Sequence, residues 1–156
     1  MINNLIEFLT YENIYFLANW GVLPFWLLLI FLPNEFITKF FVQSIIAPLL
    51  LGIAYGFVAY KIFLDGYILG SFELYYGLDA LYSMFSNEAF LLIFWLHFLT
   101  INLFAGNWIA NDAQNFLVSR PLVIISLITT YFTGPLGLVL YWLIRIFYSK
   151  KINYYD

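Results

Sequence analysis

The chain reads as an all-α membrane protein: four transmembrane helices, with an amphipathic interfacial segment between the second and third. Three observations predict it. Hydrophobic residues make up 64% of the 156 residues and charged ones only 10%, against roughly 25% charged in a soluble domain. The apolar residues gather into blocks near the ~20 residues that cross a bilayer core. The blocks are continuous rather than alternating, which selects helices over barrel strands. Too little polar sequence remains for a separate soluble module, so 1–156 is read as one integral membrane domain.

The first span is drawn at 14–32 and ends at Pro33. No Lys or Arg precedes it, and Glu7 and Glu12 do. A secretory leader starts with positive charge, so this block is expected to stay as a span. The second span covers 40–63. Gly52 and Gly56 form a GxxxG that Ala59 extends, a face on which a helix backbone can approach closely. Pro24, Pro48 and Pro135 each fall inside a span and are expected to kink it.

The segment 67–85 differs. Phe72, Tyr75, Leu78, Tyr82 and Phe85 recur at spacings of three and four, with Glu73, Asp79 and Ser83 between them. That is the pattern of a helix lying in the interface. Gly66, Gly70 and Gly77 interrupt it, and an irregular loop is the competing reading. The third span covers 89–108 and the fourth 121–147. With four spans, Lys61, Arg145, Lys150 and Lys151 fall on one side and Lys39 and Arg120 on the other. The positive-inside rule then puts both termini in the cytoplasm, and a bacterial cytoplasmic membrane is the expected location.

The polar residues inside the apolar blocks carry the functional reading. Such groups are costly in hydrocarbon and usually face a bundle interior, a cavity or a partner. His97, the single histidine, lies mid-span. It is expected to face the interior and to bond a residue on another span. Its roles are general acid or base, ligand or helix tie. Asn102 shares that span but sits about 140° away around the helix. Asn19 and Trp26 share a face of span one. Span four carries a stripe, Ser126, Thr130, Thr133, Gly137, Tyr141 and Arg145, on one helical face. Packing through hydroxyls bonded back to their own helix is favoured there over a polar cleft. Asp112 and Arg120 flank the connection 113–119, and a structural pair is expected between them. Glu88 and Asp112 stand at opposite ends of span three.

The composition also bounds the chemistry. With no cysteine, disulfides and thiolate sites are excluded. No basic stretch suggests nucleic acid. One histidine makes a metal site dependent on carboxylates, and no metal or other cofactor is expected. Nucleotide loops, nucleophile elbows and zincin motifs do not occur.

Several stretches together resemble one family. They are Val22-Leu-Pro-Phe-Trp26, Pro33 with Thr38 and Lys39, the run from Ile46 to Tyr55, Met84-Phe-Ser-Asn-Glu88, Trp95-Leu-His97, Leu103-Phe-Ala105, Asp112, and Gly134-Pro-Leu-Gly137. The chain resembles the abscisic-acid-deficient-four-like family of small membrane proteins, as a bacterial-type member. Plant members are plastid proteins required to form neoxanthin from violaxanthin. The resemblance implies an isomerase of a carotenoid epoxide-like substrate. Such a reaction needs an acid at the epoxide oxygen and a base at a carbon-bound proton. It implies His97 as acid or base, with Asp112 or Glu88 as carboxylate. Asn19, Trp26, Trp95, Asn102, Thr133 and Tyr141 are then the candidate substrate contacts. Two positions depart from the pattern: Asn102 stands where an Asp precedes the Leu-Phe pair, and Pro121 where plant members have His. The partners the sequence admits are the lipid bilayer, a carotenoid or isoprenoid ligand, and a second copy of the chain. The rival reading is a non-catalytic membrane protein acting in assembly or partner binding.

Overall fold

The structure is a computed structural model and describes residues 8–44, 46–66, 72 and 75–149. The described elements are helices: α1 (Tyr11–Phe31), α2 (Phe36–Phe41), α3 (Ile46–Leu64), α4 (Leu78–Phe85), α5 (Glu88–Asn115), α6 (Arg120–Thr133) and α7 (Pro135–Ser149). Among the described residues, three stretches are long and apolar enough to cross a membrane: Tyr11–Phe31, Phe36–Leu64 and Glu88–Asn115.

Local chemistry sets the ends. Thr10 caps α1, its hydroxyl accepting from the Asn13 N–H at 3.2 Å, three residues on as an N-cap requires. Asn87 does the same for α5, accepting from the Ala89 N–H at 2.9 Å. Pro24 lies within α1. Pro48 instead falls in the first turn of α3, where the missing N–H has no intrahelical partner to lose.

The chain divides into two compact units. The first holds residues up to Gly21 together with Leu49–Thr100. The second holds Val22–Pro48 and the residues from Ile101 onward. In the first unit, Ile14 and Ala18 of α1, Leu51, Val58 and Ile62 of α3, and Leu92, Leu96 and Leu99 of α5 are buried. Spacings of three, four and seven put each set on one helical face. Phe85 of α4 packs edge-on against Phe94, with centroids 4.9 Å apart. The interfacial reading of 67–85 is only partly visible. Leu78, Asp79, Tyr82 and Ser83 are exposed on α4, while Glu73 and Gly70 lie outside the described residues. Gly52 and Gly56 are exposed, and a Cβ built on either would meet no atom within 4 Å.

In the second unit the structure departs from the expected fourth span. The block 121–147 is not one helix. It breaks at Gly134, which adopts φ 62° and ψ −91°, and α7 restarts at Pro135, which cannot continue the preceding hydrogen-bond ladder. Helix α6 runs back along α5 until Gly134 lies against Asn102. Helix α7 then returns toward the other end of that segment, where Tyr141 and Arg145 meet Asp112. The two short helices form an antiparallel hairpin. At the bend, a Cβ on Gly137 would lie 2.2 Å from the Thr130 backbone nitrogen, so only glycine permits this approach. The expected stripe is divided between the two helices: Ser126 and Thr130 of α6 and Gly137, Tyr141 and Arg145 of α7 are buried, and Thr133 is exposed. Ser126 and Thr130 donate to the carbonyls of Leu122 and Ser126, at 2.9 and 2.8 Å, as helix packing requires.

Candidate functional site

In the first unit, Trp95 Nε1 donates to Asn19 Oδ1 at 2.9 Å. Two residues expected to hold a substrate thus hold each other, and the bond fixes the plane of the indole. Phe98 stacks beside that ring at 5.3 Å, and Tyr15 lies tilted at 6.2 Å. Next to Trp95 is a cavity of about 460 Å³, within the ~300–1,000 Å³ range of ligand sites. Its walls are Tyr11, Glu12, Tyr15, Glu88, Leu91, Leu92 and Trp95. Glu12 and Glu88 lie in the first turns of α1 and α5, where the helix dipole favours a carboxylate. Lys61 donates to the Leu9 carbonyl at 3.1 Å, and its ammonium sits over the Tyr11 and Phe57 rings at 5.0 and 4.8 Å.

His97 is not where the sequence put it. Its side chain is exposed, it makes no hydrogen bond among the described residues, and its ring lies 6.5 Å from that of Tyr55. The physical reason is the leucine stripe. Leu92, Leu96, Leu99 and Leu103 are all buried, and His97 stands about 130° from the middle of that line on a helix. In lipid no burial from water drives helix contacts, so the close packing of these four leucines against neighbouring side chains sets the rotation of α5, and that rotation leaves the imidazole outside.

In the second unit, Asp112 Oδ2 accepts from the Tyr141 hydroxyl at 2.6 Å and from Arg145 Nε at 2.8 Å. Tyr141 and Arg145 are four residues apart on one face of α7, and both are buried. The guanidinium lies over Phe116 at 4.4 Å and Trp142 at 5.3 Å. Trp108 meets Tyr141 edge-on at 5.5 Å. The expected Asp112–Arg120 pair does not form. Arg120 donates to the Phe31 carbonyl instead, at the edge of a cavity of about 610 Å³ that also involves Asn34, Glu35 and Gln114.

The remaining candidates are structural in their contacts. Trp26 is buried against Gly106, where a Cβ would come within 2.7 Å of the indole, and meets Tyr131 edge-on at 5.4 Å. Asn102 is 5% exposed and lies against Gly134, and its Nδ2 has no hydrogen-bond partner among the described residues. Thr133 is exposed and donates to the Thr129 carbonyl at 2.8 Å. Spacing along α5 alone separates Glu88 from His97 by about 14 Å and His97 from Asp112 by about 22 Å. Among the described residues, no three His, Asp or Glu side chains are grouped to hold a metal ion.

Sequence reasoning missed Tyr55 as the neighbour of His97, and Tyr11, Glu12 and Tyr15 as cavity walls. The last three share one helix face at spacings of three and four, a signal present in the sequence. Nothing local ties Tyr55 to His97.

The family model described as ABA DEFICIENT 4-like matches residues 13–141. Protein ABA DEFICIENT 4, chloroplastic, from Arabidopsis thaliana is 27% identical over 144 residues, which cover 90% of this chain and 64% of that protein. The chain therefore matches just under two thirds of that relative's length. No solved structure matches. Spanning most of the length, the family match shows that this chain belongs to the ABA DEFICIENT 4-like family.

Proposed function

We propose that this chain lies in a membrane and binds a carotenoid or other isoprenoid lipid on its side, where His97 and Tyr55 supply acid–base chemistry for an isomerisation. The observation that carries the reading is the exposed His97–Tyr55 pair on apolar helices. Gly52 and Gly56 lie beside Tyr55 in sequence and leave open space at the helix surface. An imidazole facing bare hydrocarbon is costly. The same imidazole is accessible to a substrate dissolved in that hydrocarbon. Opening an epoxide to an allene balances without outside electrons: a carbon gives up a proton, one C–O bond breaks and the oxygen gains a proton. Neutral imidazole can accept the first proton, and a phenol or imidazolium can supply the second.

The α6–α7 hairpin gives this reading its topology. Three crossings by α1, the 36–64 stretch and α5 are followed by a hairpin that enters and leaves on one side. Each arm, 14 and 15 residues, is about 21–23 Å long, short of the ~30 Å core. Lys39, Arg120, Arg145, Lys150 and Lys151 then share a side and Lys61 stands alone on the other. That five-to-one split is stronger than the four-to-two split of four crossings. The positive-inside rule puts the C-terminus in the cytoplasm and the N-terminus across the membrane.

A non-catalytic role in assembly is the second reading. It is favoured by Asp112, whose Oδ2 is engaged by Tyr141 and Arg145 and which therefore serves poorly as a base. Isoprenoid profiling of a deletion strain decides between them. Restoration of the profile by the wild type but not by His97→Gln at equal abundance supports the isomerase. Restoration by both, or a profile unchanged by deletion, supports assembly.

A further inference from the structure

The cavity beside Trp95 has chemistry that an acid–base role for His97 leaves unused. Its walls pair aromatic faces, Tyr11, Tyr15 and Trp95, with two carboxylates, Glu12 and Glu88. Among the described residues neither carboxylate has a counter-ion: the ion pair formed is Arg145 with Asp112, in the other unit, and no basic side chain stands within ion-pair distance of Glu12 or Glu88. The N-terminal dipoles of α1 and α5 offset only part of that charge, about half a unit each. The aromatic rings add negative π-faces. Lys61 shows the same chemistry nearby, with its ammonium over Tyr11 at 5.0 Å and Phe57 at 4.8 Å. A metal ion is a poor match, because no group of three ligating side chains is present among the described residues. A soft cation with an apolar body suits the walls better: ammonium against carboxylate and ring face, carbon against Leu91 and Leu92.

We propose that this cavity is a binding site for an organic cation, a primary or quaternary ammonium group carried on an apolar body. The group is available from two sources, the head group of a zwitterionic lipid or a free amine. Trp95 is the specificity-setting wall, because its bond to Asn19 holds the indole in place without a ligand, so little ordering remains to oppose binding.

The test labels the full chain with 5-fluorotryptophan and follows the Trp95 fluorine resonance, assigned by Trp95→Phe, in nanodiscs. Tetramethylammonium chloride is titrated against sodium chloride at equal ionic strength. In phosphatidylglycerol discs the Trp95 signal should shift saturably with tetramethylammonium and not with sodium. Glu88→Gln and Glu12→Gln should each weaken that binding by about tenfold or more. The other four tryptophans report whether each variant keeps its fold. Phosphatidylcholine discs separate the sources. A Trp95 signal already at its shifted position there identifies the lipid head group, and a signal that still moves identifies a free amine. No saturable shift, an equal shift with sodium, or unchanged binding in well-folded Gln variants would overturn the proposal.

Discussion

Tyr141 donates its phenolic proton to Asp112 at 2.6 Å, and this bond records the path of the chain. Tyr141 follows Gly134 by seven residues, and Gly134 lies against Asn102. One arm of the hairpin therefore starts near Asn102 and runs back toward Asp112. A continuous helix through Gly134 would have carried Tyr141 away from Asp112.

The bond predicts a graded loss of stability. Asp112→Ala takes the carboxylate from beside Arg145, which is 2% exposed. Breaking a buried pair from one side costs about 3–5 kcal/mol. Tyr141→Phe removes one hydrogen bond and should cost about 0.5–1.5 kcal/mol. Thermal unfolding in detergent should rank wild type, Tyr141→Phe and Asp112→Ala in that order. Equal midpoints for all three would contradict a structural role for the cluster.

Glycine substitutions should separate by position. Gly134→Ala places a Cβ at 2.4 Å from Asn102 Oδ1 in a residue with φ +62°, and it should destabilise by about 1 kcal/mol or more. Gly137→Ala meets Thr130 backbone and should be at least as damaging. Gly52→Ala meets nothing and should be neutral or gain up to about 1 kcal/mol from helix propensity. Equal behaviour of Gly52 and Gly134 would argue against the hairpin.

The hairpin also predicts sidedness. The chain has no cysteine, so single cysteines can be placed cleanly. Ser119→Cys and Ser149→Cys should react with an impermeant thiol reagent from the same side, and Asp65→Cys from the other. Opposite labelling of positions 119 and 149 would restore a fourth crossing.

Much of the architecture was legible because length and hydropathy decide it. The three long apolar stretches and the packing face of Ser126, Thr130, Gly137, Tyr141 and Arg145 follow from composition and spacing. The bend was written in Gly134-Pro135, but total hydrophobicity outweighed it, because a kinked span and a hairpin have the same apolar content. The site was less legible. Polarity inside an apolar run made His97 look interior, while the leucines on the far side of α5 set its rotation. The pairing of Asp112 with Arg145 rather than Arg120 depends on where α7 returns, a long-range fact that no local spacing encodes.

The most direct test of the central claim, that an isoprenoid binds beside the exposed His97–Tyr55 pair, is a visible absorption spectrum of protein purified from a carotenoid-producing host. Wild type should carry pigment. A Cβ at Gly56 meets nothing within 4 Å beyond its own helix backbone, so Gly56→Leu adds bulk at an open helix surface, and it should purify in equal yield with the pigment largely lost. His97→Gln should keep the pigment, since it removes acid–base chemistry and little surface. Colourless wild-type protein, or pigment retained in full by Gly56→Leu, would contradict the account.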